Sequence, residues 1–151
     1  AGNVNVTGLL DGATLVSSGS GSGATNVVNP VGNLNLVNSG SSLFVITGFD
    51  AGKTLSVSGN GPTSILNPEG NVVVANTGSG ITTVSGALAG STVTTSGTGP
   101  TSINAPIGSV TVANTGNGIA TISAAGNNST VSTTGSGTIS IDHPAGNVIV
   151  N

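Results

Sequence analysis

Aliphatic residues recur along this chain at two fixed distances from a glycine. Glycines stand at positions 21, 40, 59, 78, 97, 116 and 135, each nineteen residues after the last. Most open a Gly-x-Gly, as in Gly59-Asn60-Gly61, Gly78-Ser79-Gly80, Gly97-Thr98-Gly99, Gly116-Asn117-Gly118 and Gly135-Ser136-Gly137. Six residues beyond each anchor come Val27, Ile46, Ile65, Val84, Ile103, Ile122 and Ile141. Fifteen residues beyond it come Leu36, Leu55, Val74, Val93, Val112, Val131 and Val150. Val6 and Leu15 extend both columns upstream, across a two-residue insertion within residues 17–23 that shifts the register once. Around each column apolar and polar residues alternate, the period of a strand with one buried face. Thr82-Thr83-Val84 and Val110-Thr111-Val112 are examples. Each repeat therefore predicts two short strands and two turns. Gly-x-Gly supplies backbone freedom at one corner. Asn-Pro, Gly-Asn or Ala-Gly supplies turn chemistry at the other.

A longer period overlies the first. Pro30, Pro68, Pro106 and Pro144 are 38 residues apart, so coils come in two alternating types. Leu34, Val72, Val110 and Val148 fill a core-edge slot in one type; Lys53, Ser91 and Ser129 fill it in the other. At the far end of the same strand Asn38, Asn76 and Asn114 alternate with Val57, Thr95 and Thr133. Apolar volume is thus exchanged between neighbouring layers. Asn33, Asn71 and Asn147 at one corner, and Asn38, Asn76 and Asn114 at another, suggest stacked amide ladders.

A coil of this size cannot fold alone. Ordering its backbone costs about 1–2 kcal/mol per residue, and burying one aliphatic side chain returns only about 1.5–3 kcal/mol. Stacking supplies the rest, because each strand pairs with the coil above and below. The expected fold is all-β: a parallel β-helix, or β-solenoid, of about eight coils over a single domain, 1–151. A propeller-like array of hairpins is the competing architecture. It would need larger side chains between blades and leaves the nineteen-residue half-period without a cause. Eight layers at about 4.8 Å give a rod roughly 40 Å long.

Composition narrows the function. The chain has 151 residues with 26 Gly, two Phe, no Cys, no Met, no Trp and no Tyr. Only 3% of residues are charged and the net charge is -3. Disorder usually pairs low hydrophobicity with high net charge, whereas here 35% of residues are apolar and the β-branched strand formers are abundant. Without Cys there is neither a disulfide framework nor thiol chemistry. One Lys and no Arg exclude the electrostatic footprint of a nucleic-acid binder. No run is apolar and long enough to span a bilayer as a helix. The start at Ala1, without Met, suggests a processed product or an excised segment.

Nearly whole coils with no capping segment and no guarding charges suggest terminal coils that accept a neighbour. Val4, Val6, Ile141, Val148 and Val150 are the candidate self-association residues. The partner would be a second copy in a head-to-tail homopolymer, or the rest of a longer solenoid.

The segment Gly70-Asn71-Val72-Val73-Val74-Ala75-Asn76-Thr77-Gly78-Ser79-Gly80-Ile81 resembles the repeats of filamentous-haemagglutinin-type adhesins and other bacterial β-strand-repeat surface proteins. The resemblance covers nearly the whole chain and rests on period and composition. It implies a right-handed parallel β-helix, secretion to the cell surface, and a role as stalk, fibre or adhesin with a cell-surface or glycan receptor. The family's secretion domain is not recognisable in this sequence.

Candidate chemistry is sparse. Asp142-His143, with Ser140 nearby, is the single acid–His neighbourhood, but a catalytic triad needs three groups in mutual hydrogen-bond reach. Ser140 and Asp142 are alternate residues of one strand and His143 enters a turn, so a solvated corner is expected. Asp11 and Asp50 lie at corners without the Gly-Gly-x-Gly-x-Asp pattern of calcium-binding β-rolls, and Asp50 with Lys53 suggests a weak exposed ion pair. Three glycosylation sequons, beginning at Asn5, Asn127 and Asn128, carry no signal in a chain so rich in Asn and Thr. No enzyme activity, cofactor or metal is expected. An outward slot holding Thr14, Thr54, Thr92, Thr111 and Thr130, broken by Asn35, Val73 and Ile149, resembles the ice-binding ladders of antifreeze solenoids. The expected function is a structural component of an extracellular filament or cell-surface fibre, with ice binding as the alternative.

Overall fold

A computed structural model describes residues 2–20, 22–69 and 72–151. Gly21, the first glycine anchor, and Gly70 and Asn71, from the segment that carries the resemblance, lie outside the described residues. Each coil contributes one strand to each of two sheets. The odd-numbered strands are β1 (Val4–Thr7), β3 (Thr25–Val28), β5 (Phe44–Thr47), β7 (Thr63–Leu66), β9 (Thr82–Ser85), β11 (Thr101–Asn104), β13 (Ala120–Ser123) and β15 (Ile139–Asp142). The even-numbered strands are β2 (Ala13–Ser17), β4 (Leu34–Asn38), β6 (Thr54–Gly59), β8 (Val73–Asn76), β10 (Thr92–Thr95), β12 (Thr111–Asn114), β14 (Ser129–Thr133) and β16 (Val148–Val150). Both sheets are 8-stranded, wholly parallel and ordered strictly by coil. The fold is the expected β-solenoid of about eight stacked coils.

The core is the space between the two sheets. Val27, Ile46, Ile65, Val84, Ile103 and Ile122 project into it from the odd sheet, each 0% exposed. Leu55, Val74, Val93, Val112 and Val131 meet them from the even sheet, also at 0%. A third column closes the proline corner: Pro30, Phe49, Pro68, Ala87, Pro106 and Ala125 are all buried. The proline period was visible in the sequence; the Phe and Ala that complete the column between prolines were not recognised.

The register departs from the sequence expectation in the even sheet. In the odd sheet Val6 pairs with Val27 and Val27 with Ile46, so the chain slips once. In the even sheet Leu15 pairs with Leu36, but Leu36 then pairs with Val57 and Leu34 with Leu55. Leu36 and Leu55 are not neighbours in one column, and the even sheet slips twice. A nineteen-residue frame would stack Leu34 on Lys53 and Asn38 on Val57. The observed register stacks Leu on Leu and Leu on Val, and sets Asn38 against Gly59. A slip of two residues preserves side-chain parity, so no residue changes face.

The interior is graded along the strand. At the proline end it is apolar; at the glycine end it is polar. Thr63, Thr82 and Thr101 point inward from the odd sheet, and Asn76, Thr95 and Asn114 from the even sheet, all buried. The asparagines do not form amide ladders, because successive members lie two coils apart. They satisfy the glycine corner instead. Asn38 Nδ2 donates to the carbonyls of Ser42 and Pro62, both at 2.9 Å. Asn114 Nδ2 donates to Gly118 O at 2.8 Å while its Oδ1 accepts from Gly116 N at 3.3 Å. Nor do the corner asparagines stack on one another: Asn33 Oδ1 accepts from Thr54 N at 2.9 Å, and Asn147 N donates to Asn127 Oδ1 at 3.0 Å. In the alternating core-edge slot, the Ser91 and Ser129 hydroxyls each accept a backbone N–H from the preceding coil's valine, Val72 and Val110, at 3.2 Å.

The glycine corner corrects a second expectation. Apart from Gly59, which has φ 93°, its described anchor glycines are needed for close approach rather than for a left-handed backbone. Gly97 and Gly116 have no positive φ, yet a Cβ on Gly97 would overlap the carbonyl oxygen of Gly78, and one on Gly116 that of Gly97. Successive corners lie directly on each other, and a methyl group has nowhere to go.

Gly97→Ala is therefore expected to cost about 1–3 kcal/mol by overpacking. Thr98→Ala, on the exposed residue beside it, should stay within about 0.5 kcal/mol. Urea titration of both variants checks the pair. The interior threonines give an opposite test. The Oγ1 atoms of Thr63, Thr82 and Thr95 are buried without a hydrogen-bond partner, whereas Thr101 Oγ1 accepts from Asn76 Nδ2 at 3.2 Å. Thr82→Val should raise stability by about 1 kcal/mol, and Thr101→Val should lower it by about 1–3 kcal/mol, because it strands the Asn76 amide. Their thermal midpoints should move in opposite directions.

Candidate functional site: outer faces, corners and terminal coils

With one strand face committed to the core, chemistry is left to the outward columns, the corners and the terminal coils. No cavity opens among the described residues, and no three His, Asp or Glu side chains among them come close enough to hold a metal ion.

The acid–His neighbourhood is a surface pair. His143 Nδ1 lies 2.6 Å from Asp142 Oδ1, with the two side chains 90% and 59% exposed. Ser140 shares the outward face of β15 with Asp142, and the pair does not extend to it among the described residues. His143 is held in the left-handed region at φ 45° by its place in the corner.

The expected Asp50–Lys53 ion pair does not form. Asp50 Oδ2 accepts the Gly32 N–H at 3.3 Å, and Asp11 Oδ1 accepts the Asn33 N–H at 2.6 Å. Both carboxylates serve backbone amides at the proline corner of a neighbouring coil, where the turn leaves donors unpaired by the sheets.

The outward threonines fall into two columns rather than one. Thr54, Val73, Thr92, Thr111, Thr130 and Ile149 are neighbours in order. Thr14 and Asn35 belong to the next column, because Asn35 pairs with Ser56. The even-sheet ladder is therefore Thr92–Thr111–Thr130, with Thr54 cut off by Val73. The odd sheet carries a longer one that sequence reading passed over: Ser64, Thr83, Ser102, Thr121 and Ser140 follow one another without interruption. The same nineteen-residue frame, read two residues past the start of each odd strand's exposed corner, would have found it. Along the glycine corner the exposed polar residues also join between coils: Ser79 Oγ donates to Asn60 Oδ1 at 2.5 Å and Ser136 Oγ to Asn117 Oδ1 at 2.6 Å.

The candidate self-association residues lie on three of the four terminal strands, β1, β15 and β16. Val4 and Val150 are 55% and 61% exposed; Val6, Ile141 and Val148 are half-buried and pack against the core. Each of β1, β2, β15 and β16 is paired on one side only.

No protein-family model, curated protein or solved structure matches the chain.

The proline corner yields a test of coupling between coils. Every coil opens this corner with a left-handed residue: Gly8, Asn29, Gly48, Asn67, Gly86, Ala105, Ala124 and His143, with φ between 45° and 73°. Asn tolerates this region better than Ala, yet its side chain leans on the next coil. A Cβ on Gly86 would lie 2.8 Å from Asn67 Oδ1, and one on Gly48 would overlap Asn29 Oδ1. Asn is followed by Gly in both cases, and Ala105 by Ala124. Ala105→Asn alone is expected to destabilise, while Ala105→Asn with Ala124→Gly should recover or exceed the parent stability. The double-mutant cycle should give a favourable coupling of about 0.5–3 kcal/mol. A coupling of zero would break the link.

Proposed function

We propose that this chain is a structural rod of an extracellular filament or cell-surface fibre, of the kind built by filamentous-haemagglutinin-like adhesins. The observation that carries the reading is that the coil repeats as its own complement. Every interior strand pairs in parallel with an equivalent strand on both sides, so the end face of any coil fits another coil. Edges of this kind normally invite pairing and are guarded by charge, proline or a cap. Here charge is sparse: Asp11 in the first coil, and Asp142 with His143 in the last, are the ionisable side chains of the terminal coils. A rod continued by further coils, from the same polypeptide or a second copy, satisfies those edges through heterologous contacts. Backbone pairing and the valine and isoleucine columns would provide the contact, with little dependence on salt. The lateral surface supports the same reading. It offers long polar columns suited to extended contact with a surface or glycan.

A second reading, ice binding, is favoured by the unbroken Ser64–Thr83–Ser102–Thr121–Ser140 column more than by the Thr92–Thr111–Thr130 ladder. Ser in three of its five places weakens the match to a uniform threonine ladder.

Negative-stain electron microscopy of the concentrated protein should show long unbranched fibres, and Val6→Asp with Ile141→Asp should shorten them to single rods. A chain that stays monomeric at high concentration would overturn self-stacking. Thermal hysteresis in dilute solution, absent on the filament reading, would replace it with ice binding.

A further inference from the structure

The two outer faces of the rod are not alike. On the even sheet the outward aliphatics are fewer: Val16 pairs with the half-buried Val37, and Val73 and Ile149 stand apart among Thr, Ser, Ala and Asn. Isolated surface aliphatics need no explanation. On the odd sheet they cluster. Three outward columns run along this face, and in coils two to five they hold Val28, Leu43, Val45, Pro62, Leu66 and Ile81. Val28 and Leu43 are each 38% exposed and Ile81 53%, with Val45, Pro62 and Leu66 half-buried. The apolar edge continues through Pro100 to Ile119, itself 52% exposed.

We infer that the outer face of the odd sheet is a lateral interface for a second copy of this chain, packed sheet against sheet about a two-fold axis near Ser64. Three observations commit the surface to that occupant. The outward side chains of the face are short or branched, which suits sheets packing about 10 Å apart. Its area suits a dimer. About 38 Å of rod by about 17 Å of strand hides roughly 600 Å² per copy, and twice that reaches the lower end of specific interfaces, about 1,200 Å². The apolar cluster is also uncharged. Among the described residues Asp142, in the last coil, is the one ionisable side chain on the face, with His143 beside it at the corner. Asp11, Asp50, Lys53 and Glu69 all belong to the proline corner. Nothing ionic would have to be desolvated at the centre of the contact. An axis at Ser64 sets each apolar cluster against its symmetry mate, the self-complementarity that an isologous contact needs.

This lateral contact is independent of end-to-end stacking and is tested separately from it. The chain has no cysteine, so one introduced thiol reports one location. Ser64→Cys and Ser56→Cys make the same change on outward positions of the odd and even sheets. Under mild oxidation Ser64→Cys should form a disulfide dimer in high yield, and Ser56→Cys should not. Sedimentation of the parent chain at tens of micromolar should show a dimer. Leu43→Thr with Leu66→Thr, which keeps strand propensity, should weaken the dimer by about tenfold or more with the unfolding midpoint retained. A monomeric parent, equal cross-linking of the two cysteine variants, or an unchanged dimer in the threonine variant would each overturn the inference. Loss of fibres with Ser64→Cys dimers retained would count against axial stacking alone.

Discussion

Parallel in-register stacking is the constraint on which the rest of this molecule depends. Each coil lies on the next at the spacing of hydrogen-bonded strands, about 4.8 Å, and every residue faces its own counterpart above and below. Backbone groups are satisfied almost entirely between coils. The consequence for side chains is severe, because a position is chosen against the residue one coil away as much as against the core. At the glycine corner the spacing leaves no room for a methyl group beyond the carbonyl of Gly78 or Gly97. At the proline corner it permits the Asn29 and Asn67 side chains only above Gly48 and Gly86. In the core it pairs the Val72 and Val110 amides with the Ser91 and Ser129 hydroxyls. The 38-residue period is the lateral record of this vertical bargaining: two coil types alternate because each fills what its neighbour leaves open.

The same constraint explains how much of the fold was legible in the sequence and where legibility ended. Stacking turns space into period, so Val27, Ile46 and their successors announced the inward column, the two strands and the coil number without further help. The second slip of the even sheet was hidden by parity. Leu34 and Leu36 are both inward, as are Leu55 and Val57, so two frames bury the same residues. Only the pairs they form separate them, and the frame that avoids Leu34 on Lys53 prevails. The glycine anchors were found by their spacing, but backbone freedom is the cause only at Gly59; at Gly78, Gly97, Gly116 and Gly135 it is closeness between coils, which leaves no trace in the local sequence that conformational freedom would not also leave. The asparagines were seen as a column. Their partners, Ser42, Pro62 and Gly118, lie around the corner rather than along the axis, and a linear repeat does not show that direction.

The polar pairs follow a similar rule. Asp50 had an apparent partner in the one lysine, yet its carboxylate, like that of Asp11, turns to a backbone N–H of an adjacent coil. An exposed ion pair gains little in water. A turn amide left outside the sheet ladder is a donor already fixed in place, and a charged acceptor makes a stronger bond with it than a neutral one would. These two acids therefore serve the fold.

A periodic backbone presents periodic surfaces, and this bears on what such a molecule can recognise. A pocket needs several unlike groups converging on one point, while a solenoid places like groups at equal intervals along a line. Asp142 and His143 meet by adjacency in sequence, and nothing from the coil beneath joins them. The partners proposed for it are extended ones: a further coil along the axis, or a second rod across the face. These two contacts draw on different forces. Axial addition extends a hydrogen-bonded ladder and requires one register. Lateral pairing covers apolar area such as Leu43, Leu66 and Ile81, and tolerates sliding by whole coils wherever the columns still match. The odd sheet limits that sliding, because two of its three outward columns are apolar only in coils two to four, at Val28, Val45 and Leu66, and give way to Ser102, Thr121 and Ser140 beyond. A graded face thus gives a repetitive rod a preferred alignment, which a perfectly uniform repeat could not have.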